Sequence, residues 1–138
     1  MIDDITLIDV SDQYEVMNVF TRVFDIYVDT LEKVVGRCEY RFEEGIDLEY
    51  YGNVGYVVYM PYRGHGYAQK ACIELLRIIK RDYPEIDDVY ITCNPDNEAS
   101  RKTILHLGAK YLYTVDVNSN HELYAFGEKQ KEIYRITI

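Results

Sequence analysis

The sequence predicts one α+β domain built on a mixed, mostly antiparallel sheet, and three observations carry that expectation. Runs of β-branched and aromatic residues recur along the chain, short turn signals join several of them in succession, and one tight strand-to-helix passage, "MPYRGHGYAQKA", falls in the middle. A chain of 138 residues, 48% hydrophobic, can bury one core, so residues 1–138 are read as a single domain.

The elements follow in order. "ITLIDV" reads as a short strand. Asp12 and Glu15, three apart, are placed as the N-cap and reciprocal partner of a helix that should run to about Lys33. Met17, Phe20, Phe24, Tyr27 and Leu31 would form its apolar stripe, with Asn18, Arg22, Asp25, Asp29 and Glu32 opposite. "VVGRCEYRFEE", "IDLEYYGN" and "VGYVVYM" read as three strands, broken at Glu44-Gly45 and Gly52-Asn53 and joined as hairpins. From Tyr67 the period becomes helical, with Ala68, Cys72, Leu75, Leu76, Ile79 and Tyr83 on one face, until Pro84 stops it. "DVYITCN" reads as a buried strand and "NEASRKTILHLGAK" as a short helix ended by Gly108. "YLYTVDV" and "EIYRITI" are the last two strands, separated by the turn-rich "NSN" and "GEKQ".

Composition narrows the function. The net charge of −9 argues against nucleic acid as main partner, because phosphate binding needs clustered Lys and Arg. Residues 1–60 hold 13 acids against 4 bases, whereas residues 61–138 hold 11 of each. An acidic N-terminal surface aids solubility, and it would also receive a cationic ligand. No apolar run approaches the roughly 20 residues that span a bilayer, and the acidic N-terminus is unlike a secretion signal, so a cytoplasmic protein is expected. Cys38, Cys72 and Cys93 form no CxxC pair, and His65, His106 and His121 are scattered, so neither a disulfide framework nor a protein-held metal is expected.

The central loop offers several readings. Small residues between strand and helix expose backbone N–H groups where the helix dipole adds positive charge, which makes an anion site. A Walker loop needs Lys and then Ser or Thr after its last glycine, but Tyr67 and Ala68 follow Gly66. A dinucleotide fingerprint needs a small residue where Gln69 stands, and a βαβ unit that the predicted hairpins do not provide. "RGHGYA", residues 63–68, following "GYVVYMPY", fits Arg-x-x-Gly-x-Ala. With "NPDNEAS" about thirty residues on, it resembles the cofactor core of the GNAT superfamily of acetyl-CoA-dependent N-acetyltransferases, and a weaker likeness extends over the whole chain.

That resemblance implies a GNAT fold with splayed fourth and fifth strands and flanking helices, and acetyl-CoA as cosubstrate. It implies that Val57, Val58 and Tyr59 line the pantetheine arm and that the loop from Arg63 through Gly64, His65, Gly66 and Tyr67 to Ala68 cradles the pyrophosphate. His65 would be a solvent-facing member with at most an electrostatic part. Asn97 and Ser100 would approach the arm and the thiol, although Asn97 also reads as a helix N-cap with Ser100 in its first turn.

Transfer to an amine requires a polarised carbonyl, a neutral amine and a protonated thiol. The backbone N–H of Val58 is the candidate polarising group. Glu39 and Glu49, on strands expected to face the acceptor, are candidate bases. Relatives carry an acidic tyrosine seven residues after the motif Asn, but Ile104 stands there, which leaves Ser100, Tyr111, Tyr113 or water to protonate the thiolate. Cys93 lies near the splay, yet no histidine or lowered pKa marks it as an acetyl-accepting nucleophile. Two functional classes stay open: an acetyltransferase acting directly, in a ternary complex, on a cationic small-molecule or peptide amine, protein N-termini included, and a CoA-binding or protein-interaction module without turnover. Terminal strands of such folds offer an edge for homodimer pairing.

Overall fold

The computed structural model describes residues 4–14 and 19–138. Its strands are β1 (Ile5–Asp9), β2 (Thr21–Val28), β3 (Lys33–Arg41), β4 (Val54–Val58), β5 (Asp88–Cys93), β6 (Lys110–Asp116) and β7 (Gln130–Thr137). The α-helices are α1 (Gly45–Tyr51), α2 (Tyr67–Asp82), α3 (Glu98–His106) and α4 (Glu122–Ala125). None of the described helices is long and apolar enough to cross a membrane.

Two antiparallel sheets result, one in the order β1-β2-β3-β4 and the other β5-β7-β6. The main core lies where α2 packs Ala71, Cys72, Leu75 and Ile79 against Phe24, Ile26, Val28 and Cys38 of the first sheet, with Val89, Ile91 and Ile104 continuing it. Leu75 is fully buried, so truncating it to Ala should cost about 2–5 kcal/mol.

Two sequence expectations are overturned. The helix expected from Asp12 to Lys33 is absent over its described part: Asp12 belongs to a single 3-10 turn, Ser11–Tyr14, and residues 21–28 form β2. Glu15, Met17 and Asn18 lie outside the described residues. Phe24, Ile26 and Val28 recur at intervals of two and face the core, while Phe20 and Leu31, which the helical stripe needed inside, are exposed. Apolar residues at this density satisfied both periods, and the β-branched Val23, Ile26 and Val28 favour the strand. "IDLEYYGN", expected as a strand, is mostly helix α1. Its alternation is incidental, because within α1 only Tyr50 is buried whereas Ile46 faces solvent.

α1 ends at Gly52, which has φ +66 and donates its N–H to the Leu48 carbonyl. Only glycine suits the place on both counts, since a Cβ would also stand 2.8 Å from the Tyr90 carbonyl oxygen. Asn53 then joins the sheets. It donates its backbone N–H to Tyr90 O at 2.7 Å, accepts the Tyr90 N–H on Oδ1 at 2.9 Å and donates Nδ2 to Arg41 O at 3.0 Å. Beyond that junction no ladder connects β4 to β5 among the described residues, and the two strands part.

Candidate active site

The parting strands open a cleft of about 830 Å³. Tyr59 donates its N–H to Val35 O on β3, so strand alternation turns the N–H groups of Val58 and Tyr56 to the opposite edge, toward β5. Val57 and Val58 line the cleft; Tyr59 is not among its lining residues. After β4 the chain makes a short 3-10 turn, Met60–Tyr62, and Arg63 Nε donates to Val58 O at 2.9 Å, fixing the loop to the strand end.

Gly64 and Gly66 have φ of +89 and +76, and a Cβ at either would meet nothing within 4 Å. The loop backbone therefore faces open space. Gly66 is the N-cap of α2 and supplies no side-chain cap. Gly64, Gly66, Tyr67, Ala68 and Arg63 all line the cleft, joined by Lys102 of α3. His65 is exposed, does not line it, and sets its ring 5.5 Å from that of Tyr67.

α3 forms the facing wall. Asn97 Oδ1 accepts the Ser100 N–H at 3.0 Å, so the capping role is present, and both residues also line the cleft. Ser100 Oγ lies 2.8 Å from the Tyr56 hydroxyl. Burial pushes the Tyr56 phenol above its ordinary pKa, against a weaker opposing pull from Ser100. Ile104 is fully buried in the core.

At the start of β4 the surroundings change. Arg41 lies over Gly55, with its Nη2 on the carbonyls of Tyr51 and Val54 and its Nη1 3.3 Å from Glu39 Oε1. Lys131 pairs with Glu128 at 2.7 Å, and both line the cleft. The charged residues lining the described cleft are Arg41, Arg63, Lys102 and Lys131 with the single acid Glu128, so the acidic excess of residues 1–60 lies elsewhere. Glu49 is carried by α1 rather than by a strand and accepts the Tyr113 hydroxyl at 3.4 Å, outside the cleft lining. Tyr111 and Tyr113 sit on β6, also away from it. Cys93 is buried with Sγ 3.6 Å from Glu132; burial and that carboxylate push its thiol up to about 11. Burial and a raised pKa both disfavour a nucleophilic thiolate there.

Sequence reasoning missed Tyr56 and Arg41. Tyr56 stands two residues before Val58, so the same alternation that exposes one N–H exposes the other. Arg41 shares a strand face with Glu39 for the same reason.

The fold has solved counterparts. A GNAT-family acetyltransferase from Bacillus anthracis superposes with a TM-score of 0.66 at 19% identity, covering 83% of this chain and 65% of the other. The microcin self-immunity acetyltransferase MccE, solved with acetyl-CoA and AMP, gives 0.68 at 19% identity over 94% of this chain and 65% of the other. RimL, a ribosomal α-N-protein acetyltransferase solved with coenzyme A, gives 0.66 at 17% identity over 86% and 62%. The chain thus spans less than two thirds of the length of each of these proteins. A comparison with curated proteins returns no match. Residues 8–110, well over half of the chain, match the family profile described as acetyltransferase (GNAT) domain, and the chain belongs to that family.

Proposed function

We propose that this protein binds acetyl-CoA in the cleft between β4 and β5 and transfers the acetyl group to a primary amine by direct attack in a ternary complex. The observation that carries the reading is the continuity of β4 with the loop: a strand edge with two N–H groups turned to the cleft runs into a glycine loop whose backbone faces open space at the start of α2. The loop of residues 63–68 fits a pyrophosphate, with Arg63 and Lys102 adding positive charge. The β4 edge fits an extended arm with amide groups.

Acetyl-CoA, once bound, supplies a thioester carbonyl open to nucleophilic attack. The N–H groups of Val58 and Tyr56 polarise an oxygen placed against that edge. Glu39 takes a proton from the acceptor, which arrives as an ammonium ion, and the hydroxyls of Ser100 and Tyr56 provide a proton for the thiol. In the overall transfer the nitrogen–carbon bond forms as the carbon–sulfur bond breaks; of the two protons the ammonium sheds, one goes to the base and one is matched on the thiol.

Isothermal calorimetry with acetyl-CoA tests the binding, and absence of saturable heat at millimolar ligand would overturn it. A second reading, a CoA-binding module without turnover, draws on the buried Ile104 at the position where relatives carry an acidic tyrosine. Thiol release on a panel of amines separates the two: turnover on any of them rejects the module.

A further inference from the structure

A carboxylate and a guanidinium stand together over Gly55. The β3–β4 register sets Glu39 opposite Gly55, and Arg41 reaches the same spot from two residues on. A Cβ on Gly55 would lie 2.5 Å from Arg41 Nη1 and 3.1 Å from Glu39 Oε1, so the glycine is what lets both groups settle on the β4 backbone. Gly55 is next to Tyr56, whose N–H lies on the edge assigned above to the thioester carbonyl. An amine reaching that carbonyl therefore meets Arg41, which lines the cleft, with the partly exposed carboxylate of Glu39 3.3 Å behind it.

Arg41 is not satisfied by its neighbours. Its Nε is buried with no hydrogen-bond partner, while Nη1 and Nη2 hold Glu39 and two carbonyls. The second pair at this end, Lys131 with Glu128, adds no net charge. Arg41, Lys131 and Glu128 line this end of the cleft, and Glu39, outside the lining but paired with Arg41, brings the four charges to zero, which suits a zwitterion and gives a polyamine no excess of negative charge to bind.

We infer that the acceptor is an amino carboxylate of the amino-acid type, its ammonium group set against Glu39 and its carboxylate against Arg41. A simple amine satisfies the carboxylate alone. An α-amino acid presents opposite charges about as far apart as the two side chains and engages both, which replaces the cationic acceptor suggested by the charge distribution along the sequence. The inference rests on the acetyltransferase reading for its chemistry, but the acceptor site can be read by binding as well as by turnover.

The test uses the intact protein with matched acceptors: glycine against glycinamide, alanine against alaninamide, and putrescine as a dication. Thiol release from acetyl-CoA gives kcat/KM, and calorimetry in the presence of CoA gives acceptor affinity. Each acid should exceed its amide by at least about tenfold, and Arg41→Met should bring that ratio toward one. Arg41→Met also removes contacts to the Tyr51 and Val54 carbonyls, so its thermal unfolding is recorded and the wild-type comparison decides if it does not fold. Amides or putrescine doing as well as the acids would overturn the inference while leaving the transferase reading standing. Acid-selective binding without thiol release would support the amino-carboxylate site and overturn the transferase reading. Neither binding nor turnover with any acceptor would overturn both.

Discussion

The Tyr56 hydroxyl lies 2.8 Å from Ser100 Oγ, so the last strand of one sheet is hydrogen bonded to the helix that walls the opposite side of the cleft. Ile104, seven residues after Asn97 on α3, is fully buried in the core and offers no hydroxyl. Tyr56→Phe and Ser100→Ala should each lower kcat by about 10²-fold while leaving acetyl-CoA affinity within a few-fold, if these hydroxyls supply the thiol proton. The loss should shrink with an acetyl thioester whose thiol is more acidic, because such a leaving group needs no proton. A purely structural role would depress both thioesters alike.

The glycine loop separates affinity from chemistry. Gly66→Ala places a Cβ at φ +76, where an L residue is strained by about 1–2 kcal/mol, but in open space. Calorimetry should show weaker acetyl-CoA binding, by tenfold or more, and thermal unfolding should show a fall of only a few degrees. Unchanged affinity would remove the loop from the binding site.

The buried thiols should be inert. Burial alone pushes Cys72 up to about 12, and burial with the Glu132 charge raises Cys93 to about 11. At pH 8 a thiol-specific chromogenic reagent should label neither residue in the folded protein, and both should react once denaturant is added. Acetylated enzyme recovered after acetyl-CoA treatment, with the label on Cys93, would contradict direct transfer.

Glu132 supplies a pH-dependent part of the stability. Arg101 grips both its oxygens at 2.9 and 3.2 Å and lowers its pKa; burial works the other way, and the Tyr134 hydroxyl at 3.0 Å lowers it further. A depressed carboxylate stabilises the fold fully above its unfolded pKa of about 4.3, and that contribution fades as pH falls through the lower folded value. Glu132→Gln should therefore lower Tm at pH 7, and the gap to wild type should close in acid. Equal gaps at pH 7 and pH 3 would contradict this account.

Local backbone chemistry was legible in the sequence where one segment determines it. "RGHGYA" must turn and must expose amides whatever surrounds it, and Asn97 caps α3 through the first-turn Ser100 from a spacing of three. Residues 21–28 were not legible in this way: Phe20, Phe24, Tyr27 and Leu31 keep helical spacing, and only the partners on β1 and β3 decide for a strand. α1 failed similarly, since Ile46, Leu48 and Tyr50 alternate without sharing a buried face. Glu39 was singled out in the sequence but its partner Arg41 was not, because the meeting of the two over Gly55 depends on ladder register, which sequence spacing does not set.

The junction at Asn53 has a consequence for the mechanics of the molecule. With one residue holding both sheets near the apex and the Tyr56–Ser100 bond as a clasp farther out, the protein resembles a book bound by a single stitch. The pages part beside β4, where an extended ligand bound as proposed above would add rungs to the ladder. Cargo and architecture would then coincide, so CoA should raise Tm by mass action and quiet the β4 and β5 amides in hydrogen exchange.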